Sequence, residues 1–211
     1  MTHPFVLAIS GASGAVYGVR LAQLLARATD ELHLVVSAAG RKVLELELGL
    51  TVDDDLESTA GLIHAPLPWW GEPPAGELAT VHAHHEHDMT ASIASGSFLT
   101  SAMVICPCSG GTLSSVVNGA SRNLIHRAAD VHLKEGRPLV VVPRETPLSR
   151  IQLDNMLRLR DAGATILPAS PGWYHGIKGP ADLVDFVVAR ILDQLGVDQS
   201  IMQRWSGSSD V

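Results

Sequence analysis

The stretch "FVLAISGASGAVYGVRLAQLLARATDELHLVVS", residues 5–37, holds a complete strand–turn–helix–strand alternation. "FVLAIS" (5–10) has no polar alternation, which is the pattern of a strand covered on both faces. "GASG" (11–14) turns the chain, and Leu21, Leu24, Leu25 and Ala28 then fall on one face of a helix. "LHLVVS" (32–37) is a second buried strand, followed by a helical "AAGRKVLELELG". The same rhythm recurs further along. "AMVICP" (102–107), "PLVVVP" (138–143) and "ATILPA" (164–169) read as strands. "TLSSVVNGASRNLIHRAADVHLKEG" (112–136), "LSRIQLDNMLRLRDAG" (148–163) and "ADLVDFVVARILDQLG" (181–196) read as helices, the last stopped by Gly196. Such alternation predicts an α/β class: a single-domain, three-layer, open and mostly parallel sheet with helices on both faces.

At 211 residues the chain suits one domain with a substantial core. A net charge of −7 argues against a general nucleic-acid binder, which needs clustered basic residues. No apolar run reaches the length of a membrane span, and "MTHPFVLAIS" lacks the basic start of a signal peptide. Two cysteines make no disulfide framework, so the expected compartment is cytoplasmic. Residues 51–98 break the rhythm with "DDD", "PLPWWGEPPAG" and "HAHHEHD", and are expected to be irregular connections around one short strand. Residues 1–200 form the expected domain and 201–211 a partly flexible tail.

Open parallel sheets bind ligands beyond the carboxyl ends of their strands. After the first strand, Gly11, Ala12, Ser13 and Gly14 precede a helix, where free N–H groups favour an anion; a mononucleotide phosphate, a flavin edge and a plain tight turn all remain open. Ser37 reads as a helix cap. Ser109, Gly110, Gly111 and Thr112 repeat the cradle chemistry after "AMVICPC". The C-P-C pair there suits neither a C-x-x-C redox site nor a four-ligand zinc site, so the cradle is preferred over a cysteine site. Arg144 and Glu145 follow "PLVVVP", either at a ligand or as a surface ion pair. Trp173, Tyr174 and His175 follow the last strand. Arg190 interrupts an apolar stripe, and is either solvated or an anion ligand. Arg127 and Lys134 lie two turns apart on one face, serving a neighbouring subunit or solvent. Asp53, Asp54 and Asp55 lack diphosphate–magnesium spacing, and His82, His84, His85 and His87 lack companion ligands, so no metal is expected.

Taken together, "SGASGA", "ASGSF", "AMVICPCSGGTLSSVVNGASRNLIHRAADV", "LKEGRPLVVVPRETPLS", "NMLRL", "GATILPASPGWYH" and "LVDFVVARILDQLG" resemble the flavin prenyltransferase family of the UbiX type over nearly the whole chain. The resemblance implies a Rossmann/flavodoxin-like flavoprotein. It would join a dimethylallyl group from dimethylallyl monophosphate to N5 and C6 of reduced FMN. The prenylated FMN would serve a UbiD-type decarboxylase, and the chain would form a homododecamer with shared sites. It implies FMN binding by Gly11, Ala12, Ser13, Ser37, Ser109, Gly110, Gly111, Thr112 and Arg144. The allyl phosphate would meet Ser95, Gly96, Lys134, Arg144, Glu145, Tyr174 and Arg190, with Arg127 at the subunit boundary and Trp205 lining the prenyl side. Ser13, Lys134, Glu145 and Tyr174 would be catalytic. Two rivals are a cysteine-type decarboxylase of the same fold and a non-catalytic flavin-binding accessory subunit. The first lacks its substrate-clamping motif here, and the intact phosphate set argues against the second.

Overall fold

The computed structural model describes residues 3–73, 76–174, 176–202 and 204. Six parallel strands form one sheet in the order β3-β2-β1-β4-β5-β6. They are β1 (Phe5–Ile9), β2 (Glu31–Val36), β3 (Thr80–His84), β4 (Ala102–Cys108), β5 (Leu139–Pro143) and β6 (Thr165–Ile166). The helices are α1 (Ala15–Ala28), α2 (Ala38–Leu48), α3 (Leu56–Gly61), α4 (Gly110–Val117), α5 (Leu124–Lys134), α6 (Arg150–Asp161) and α7 (Pro180–Leu195). No helix among the described residues is long and apolar enough to cross a membrane.

Successive side chains of a strand point to opposite faces, and β1 shows the consequence. Phe5, Leu7 and Ile9 enter one core with Val19 and Leu25 of α1 and Val187 and Ile191 of α7. Val6 and Ala8 enter a second core with Leu113 of α4 and with Leu124 and Ala128 of α5. An apolar strand is therefore apolar on both sides because both sides are covered. The sheet grows from β1 in two directions, to β2 and β3 on one side and to β4, β5 and β6 on the other. The crevice between β1 and β4 is thus a topological switch point.

The five strands expected from sequence are present, and the sheet is wholly parallel. The short strand within residues 51–98 is β3, at the sheet edge. Helix α3, capped where Asp55 accepts from Ser58 N at 2.6 Å, was not legible in the aspartate run. The single helical pattern over 112–136 is corrected to two helices. Gly119 adopts a left-handed φ of 63°, and Asn123 starts α5 afresh by accepting from His126 N at 3.0 Å. At the carboxyl end, Ile201 still packs on the core and Arg204 pairs with Asp193 at 2.9 Å.

Gly18 lets α1 approach β4: a Cβ there would lie 2.5 Å from the Cys106 carbonyl oxygen. Gly18→Ala is expected to lower stability by about 1–3 kcal/mol, as overpacking does, despite alanine's better helix propensity. Thermal melting checks this, and an unchanged or raised midpoint contradicts it.

A histidine stack ties β3 to β2. His33 is 3% exposed, and its ring stacks on His82 and His84 at 5.0 and 5.1 Å. His33 Nδ1 lies 2.8 Å from His84 Nε2, and Glu31 Oε1 meets His33 Nε2 at 3.0 Å and His82 Nε2 at 3.2 Å. Burial, and then the neighbouring His33 and His82, lowers the His84 pKa to about 4, with Asp88 opposing. A folded-state value below the ordinary imidazole value of about 6.5 means the unfolded chain takes the proton first. Stability from this group is full above about pH 6.5 and is lost as pH falls from there toward 4. Denaturant unfolding near pH 7.5 and near pH 5 should show a loss at the lower pH that is smaller in His84→Phe. Equal losses in both proteins would refute the assignment.

Candidate active site

Ser10 directly follows β1, is 1% exposed and binds the two central loops together. Its hydroxyl donates to Pro107 O at 2.9 Å and accepts from Ser109 N at 2.8 Å. Ser109 caps α4, its Oγ accepting from Thr112 N at 3.3 Å. Ser37 caps α2 by accepting from Gly40 N at 3.0 Å. Both serines line one cleft of about 590 Å³ with Gly11, Gly111 and Thr112. Glycine at position 11 is required, because a Cβ there would lie 2.4 Å from Ala39 Cβ. The cleft therefore has a floor of small residues, hydroxyls and α4 N-terminal amides, all at the carboxyl edge of the sheet.

The α1 N-terminus has a different occupant. Glu47, from the far end of α2, accepts from Gly14 N at 2.9 Å and from Ala15 N at 2.9 Å. The donors that favour an anion after β1 thus already hold a carboxylate. Of the alternatives open for "GASG", a ligand phosphate at these two amides is displaced, and close approach of a flat ring edge is retained. Gly14 itself has a φ of 105°, a conformation suited to glycine.

Arg144 and Glu145 follow β5 at the carboxyl edge of the sheet. Arg144 Nε donates to Ser13 O at 3.0 Å. Glu145 Oε2 accepts from Gln152 Nε2 at 3.3 Å, and that amide nitrogen would lie 3.0 Å from a Cβ on Gly110. These two residues share a small cavity with Pro168 and Ser170, beyond β6. Pro168 and Ser170 also line a groove with Phe186 and Arg190. Tyr174 packs edge-on against Phe186, centroids 5.9 Å apart. Arg190 Nη1 meets Asp193 at 2.7 Å and remains 46% exposed. The Arg144–Glu145 cavity and the Arg190 groove thus adjoin at Pro168 and Ser170, with Tyr174 beside the groove on Phe186.

The other expected site residues lie elsewhere in the chain. Ser95 and Gly96 follow a 3₁₀ turn (Ser92–Ala94) that packs on α5, where Arg127 Nε donates to Ala94 O at 2.9 Å. Lys134, paired with Glu135, would lie 2.7 Å from a Cβ on Gly96. Helix α5 runs back against the strands, so its last residue, Lys134, sits at the amino edge of the sheet. The five residues of β5 then separate Lys134 from Arg144 by about 16 Å at roughly 3.3 Å per residue. One chain thus carries two half-sets of polar groups on opposite edges. Trp205 lies outside the described residues.

Cys106 and Cys108 are fully buried free thiols. Burial pushes Cys108 up to about 12 and Cys106 higher still, so neither forms a thiolate near neutral pH. Cys108 is absent from the cleft lining, whereas Ser109, Gly111 and Thr112 line it. Sequence reasoning missed Ser10, Glu47 and a polar end of the cleft made by Glu86, Arg122, Asn123 and His126. Their local patterns are those of ordinary strand-end, helix and loop residues.

The family model described as Flavoprotein matches residues 1–192. The flavin prenyltransferase UbiX of Pseudomonas aeruginosa is 49% identical over 199 residues, 94% of this chain and 92% of that one. A crystal structure of AnUbiX (PadA1) in complex with FMN and dimethylallyl pyrophosphate superposes with a TM-score of 0.83 at 37% identity, covering 98% of this chain and 99% of that chain. A dodecameric FMN-dependent UbiX-like decarboxylase from Escherichia coli O157:H7 gives 0.82 at 39% identity, covering 97% and 100%. With a family model spanning most of its length and a prenyltransferase relative aligned almost end to end, the chain belongs to the flavoproteins, and among them to the flavin prenyltransferases of the UbiX type.

Proposed function

We propose that the chain transfers a dimethylallyl group from dimethylallyl monophosphate to N5 and C6 of reduced FMN, yielding prenylated FMN for a UbiD-type decarboxylase. The observation that carries this reading is that the Ser109–Thr112 cradle, Arg144 on the Ser13 carbonyl and Glu145 on Gln152 all lie at the carboxyl edge of the sheet, after β1, β4 and β5. The cleft fits a flavin mononucleotide. Its volume of about 590 Å³, its hydroxyls and its glycine floor suit a ribityl chain and a flat ring edge.

When bound, reduced FMN supplies nucleophilic N5 and C6. The ester C–O bond breaks with its electron pair passing to phosphate, and of the two protons lost from N5 and C6 one returns to the prenyl chain and one leaves with phosphate. Arg144, Arg190 and the Tyr174 hydroxyl form the wall that meets the departing oxyanion. Ser13 orients the ring edge through its loop, which Arg144 holds at 3.0 Å. Glu145, held by Gln152, takes the proton at the ring edge. Lys134, Ser95 and Gly96 complete the phosphate pocket from a second copy, with Arg127 securing the Ala94–Gly96 segment beneath them. This arrangement accords with a homododecamer of shared sites. Three cations and one phenol supply charge-assisted donors to a monophosphate leaving group. Trp205, outside the described residues, would shield the developing allyl cation on the prenyl side.

Incubating the reduced FMN-loaded protein with dimethylallyl monophosphate should raise the flavin mass by one prenyl unit. No gain, together with decarboxylation of a cysteine-containing substrate, would favour the rival enzyme. Glu145→Gln should slow prenylation by about 10²–10⁴-fold with FMN affinity retained, and unchanged turnover would remove its role. Tyr174→Phe should chiefly raise the donor KM, a prediction that an unaltered KM contradicts.

A further inference from the structure

The amino-edge half of the proposed phosphate pocket is carried by an irregular segment, Ser95–Thr100, between the 3₁₀ turn and β4. Such a segment keeps one shape only where its backbone polar groups find partners. Ser95 N donates to Ser92 O at 3.1 Å and Phe98 N to Ser95 O at 3.2 Å, closing two tight turns. The carbonyls of Gly96 and Phe98 receive no backbone N–H among the described residues. One side chain meets both. Arg137 Nη2 donates to Gly96 O at 2.5 Å, and Nη1 donates to Phe98 O at 2.7 Å and to Thr100 Oγ1 at 3.3 Å.

The end of α5 aims Arg137 at this segment. Gly136 takes a left-handed φ of 65°, Gly136 N donates to Leu133 O at 3.2 Å, and Arg137 N donates to His132 O at 2.8 Å. These two bonds stop the helix and turn the chain back, so Arg137 lies beside the last turn, three residues beyond Lys134. A directional chain then fixes the Thr100 contact. Ala128 O can only accept, so His132 Nδ1, 2.7 Å away, carries the ring proton. Nε2 is left to accept from the Thr100 hydroxyl at 2.9 Å, and a lone pair of that hydroxyl remains for Arg137. Thr100 and His132 are both buried. Burial lowers the His132 pKa, the Ala128 carbonyl opposes, and Arg137 lowers it further, which keeps Nε2 an acceptor near pH 7.

We propose that Arg137 is a positioning residue for the allyl donor: by holding oxygens of Gly96, Phe98 and Thr100 together, it sets Ser95 and Gly96 against Lys134. Its Nη1 and Nη2 donors are engaged with protein oxygens, so it acts through the segment and not on the phosphate. Gly96 is the point of contact, because a Cβ there would lie 2.7 Å from Lys134 Nζ. A segment this close to the lysine cannot shift without changing the spacing of the groups that meet the phosphate. This inference rests on the reading that Ser95, Gly96 and Lys134 serve the donor.

Steady-state prenylation by the assembled full-length protein tests it. Arg137→Gln should raise the KM for dimethylallyl monophosphate about tenfold, with kcat and FMN affinity nearly unchanged. Arg137→Lys keeps the charge but cannot span three acceptors, so it should recover only part of the loss. Full recovery by lysine would make the effect one of charge alone and overturn the proposal. An unchanged KM in Arg137→Gln, or a loss shared equally by KM, kcat and FMN affinity, also overturns it. Thr100→Val leaves the guanidinium and removes one acceptor. It should raise the donor KM less strongly, and it decides the matter if Arg137→Gln fails to assemble, an unchanged KM again counting against the proposal. Lys134→Ala is measured alongside. If it is inactive while Arg137→Gln is normal, only the role of Arg137 falls. If Lys134→Ala also prenylates normally, the amino-edge half of the pocket is wrong and the inference falls with it.

Discussion

Parallel strand direction governs where chemistry collects in this molecule. Every strand of the sheet points the same way, so every carboxyl end lies on one edge and every returning helix ends on the other. The cradle loops, Arg144 and Glu145 are on the first edge because they follow β1, β4 and β5. Lys134 and the Ser95–Gly96 segment are on the second because they precede β5 and β4. No side-chain rotation bridges the length of a five-residue strand. A phosphate pocket using both sets therefore has to be built from two chains.

Within one chain the carboxyl edge is held by a few buried polar contacts. Ser10 ties the β1 end to the β4 end through its hydroxyl and its backbone N–H. Glu47 and Glu86 each place a carboxylate on a helix N-terminus, satisfying amides that would otherwise compete for ligand oxygen. What remains open in the cleft is the α4 amides with the hydroxyls of Ser37, Ser109 and Thr112, while Arg144 and Glu145 line an adjoining edge beyond β5.

Much of this was legible in the amino-acid sequence because it is local. Buried strands read as unbroken apolar runs, and the turns after them read as glycine and hydroxyl clusters followed by helix periodicity. Ser37 was legible as a cap, and its hydrogen bond to Gly40 N is a contact three residues long. The break at Asn118–Asn123 was missed because apolar helix periodicity resumes on both sides of it, although Asn118–Gly119 is a turn signal and Asn123 a cap residue. Glu47 and Glu86 were missed for a different reason. Their partners lie 33 and 48 residues away, and no local pattern distinguishes them from solvated carboxylates. The residues at the far end of the cleft belong to the same class, since only the pairing of β3 beside β2 brings Glu86 to the α5 terminus.

Co-expression of two inactive chains, Lys134→Ala and Glu145→Gln, tests the division of the pocket between copies most directly. Random assembly gives about a quarter of the sites an intact lysine from one chain and an intact glutamate from its neighbour. Prenylation at about that fraction of the wild-type rate is predicted in the mixed oligomer, with either variant alone nearly inactive. A mixed oligomer as inactive as its parents would mean that both residues act within one chain, contradicting the account.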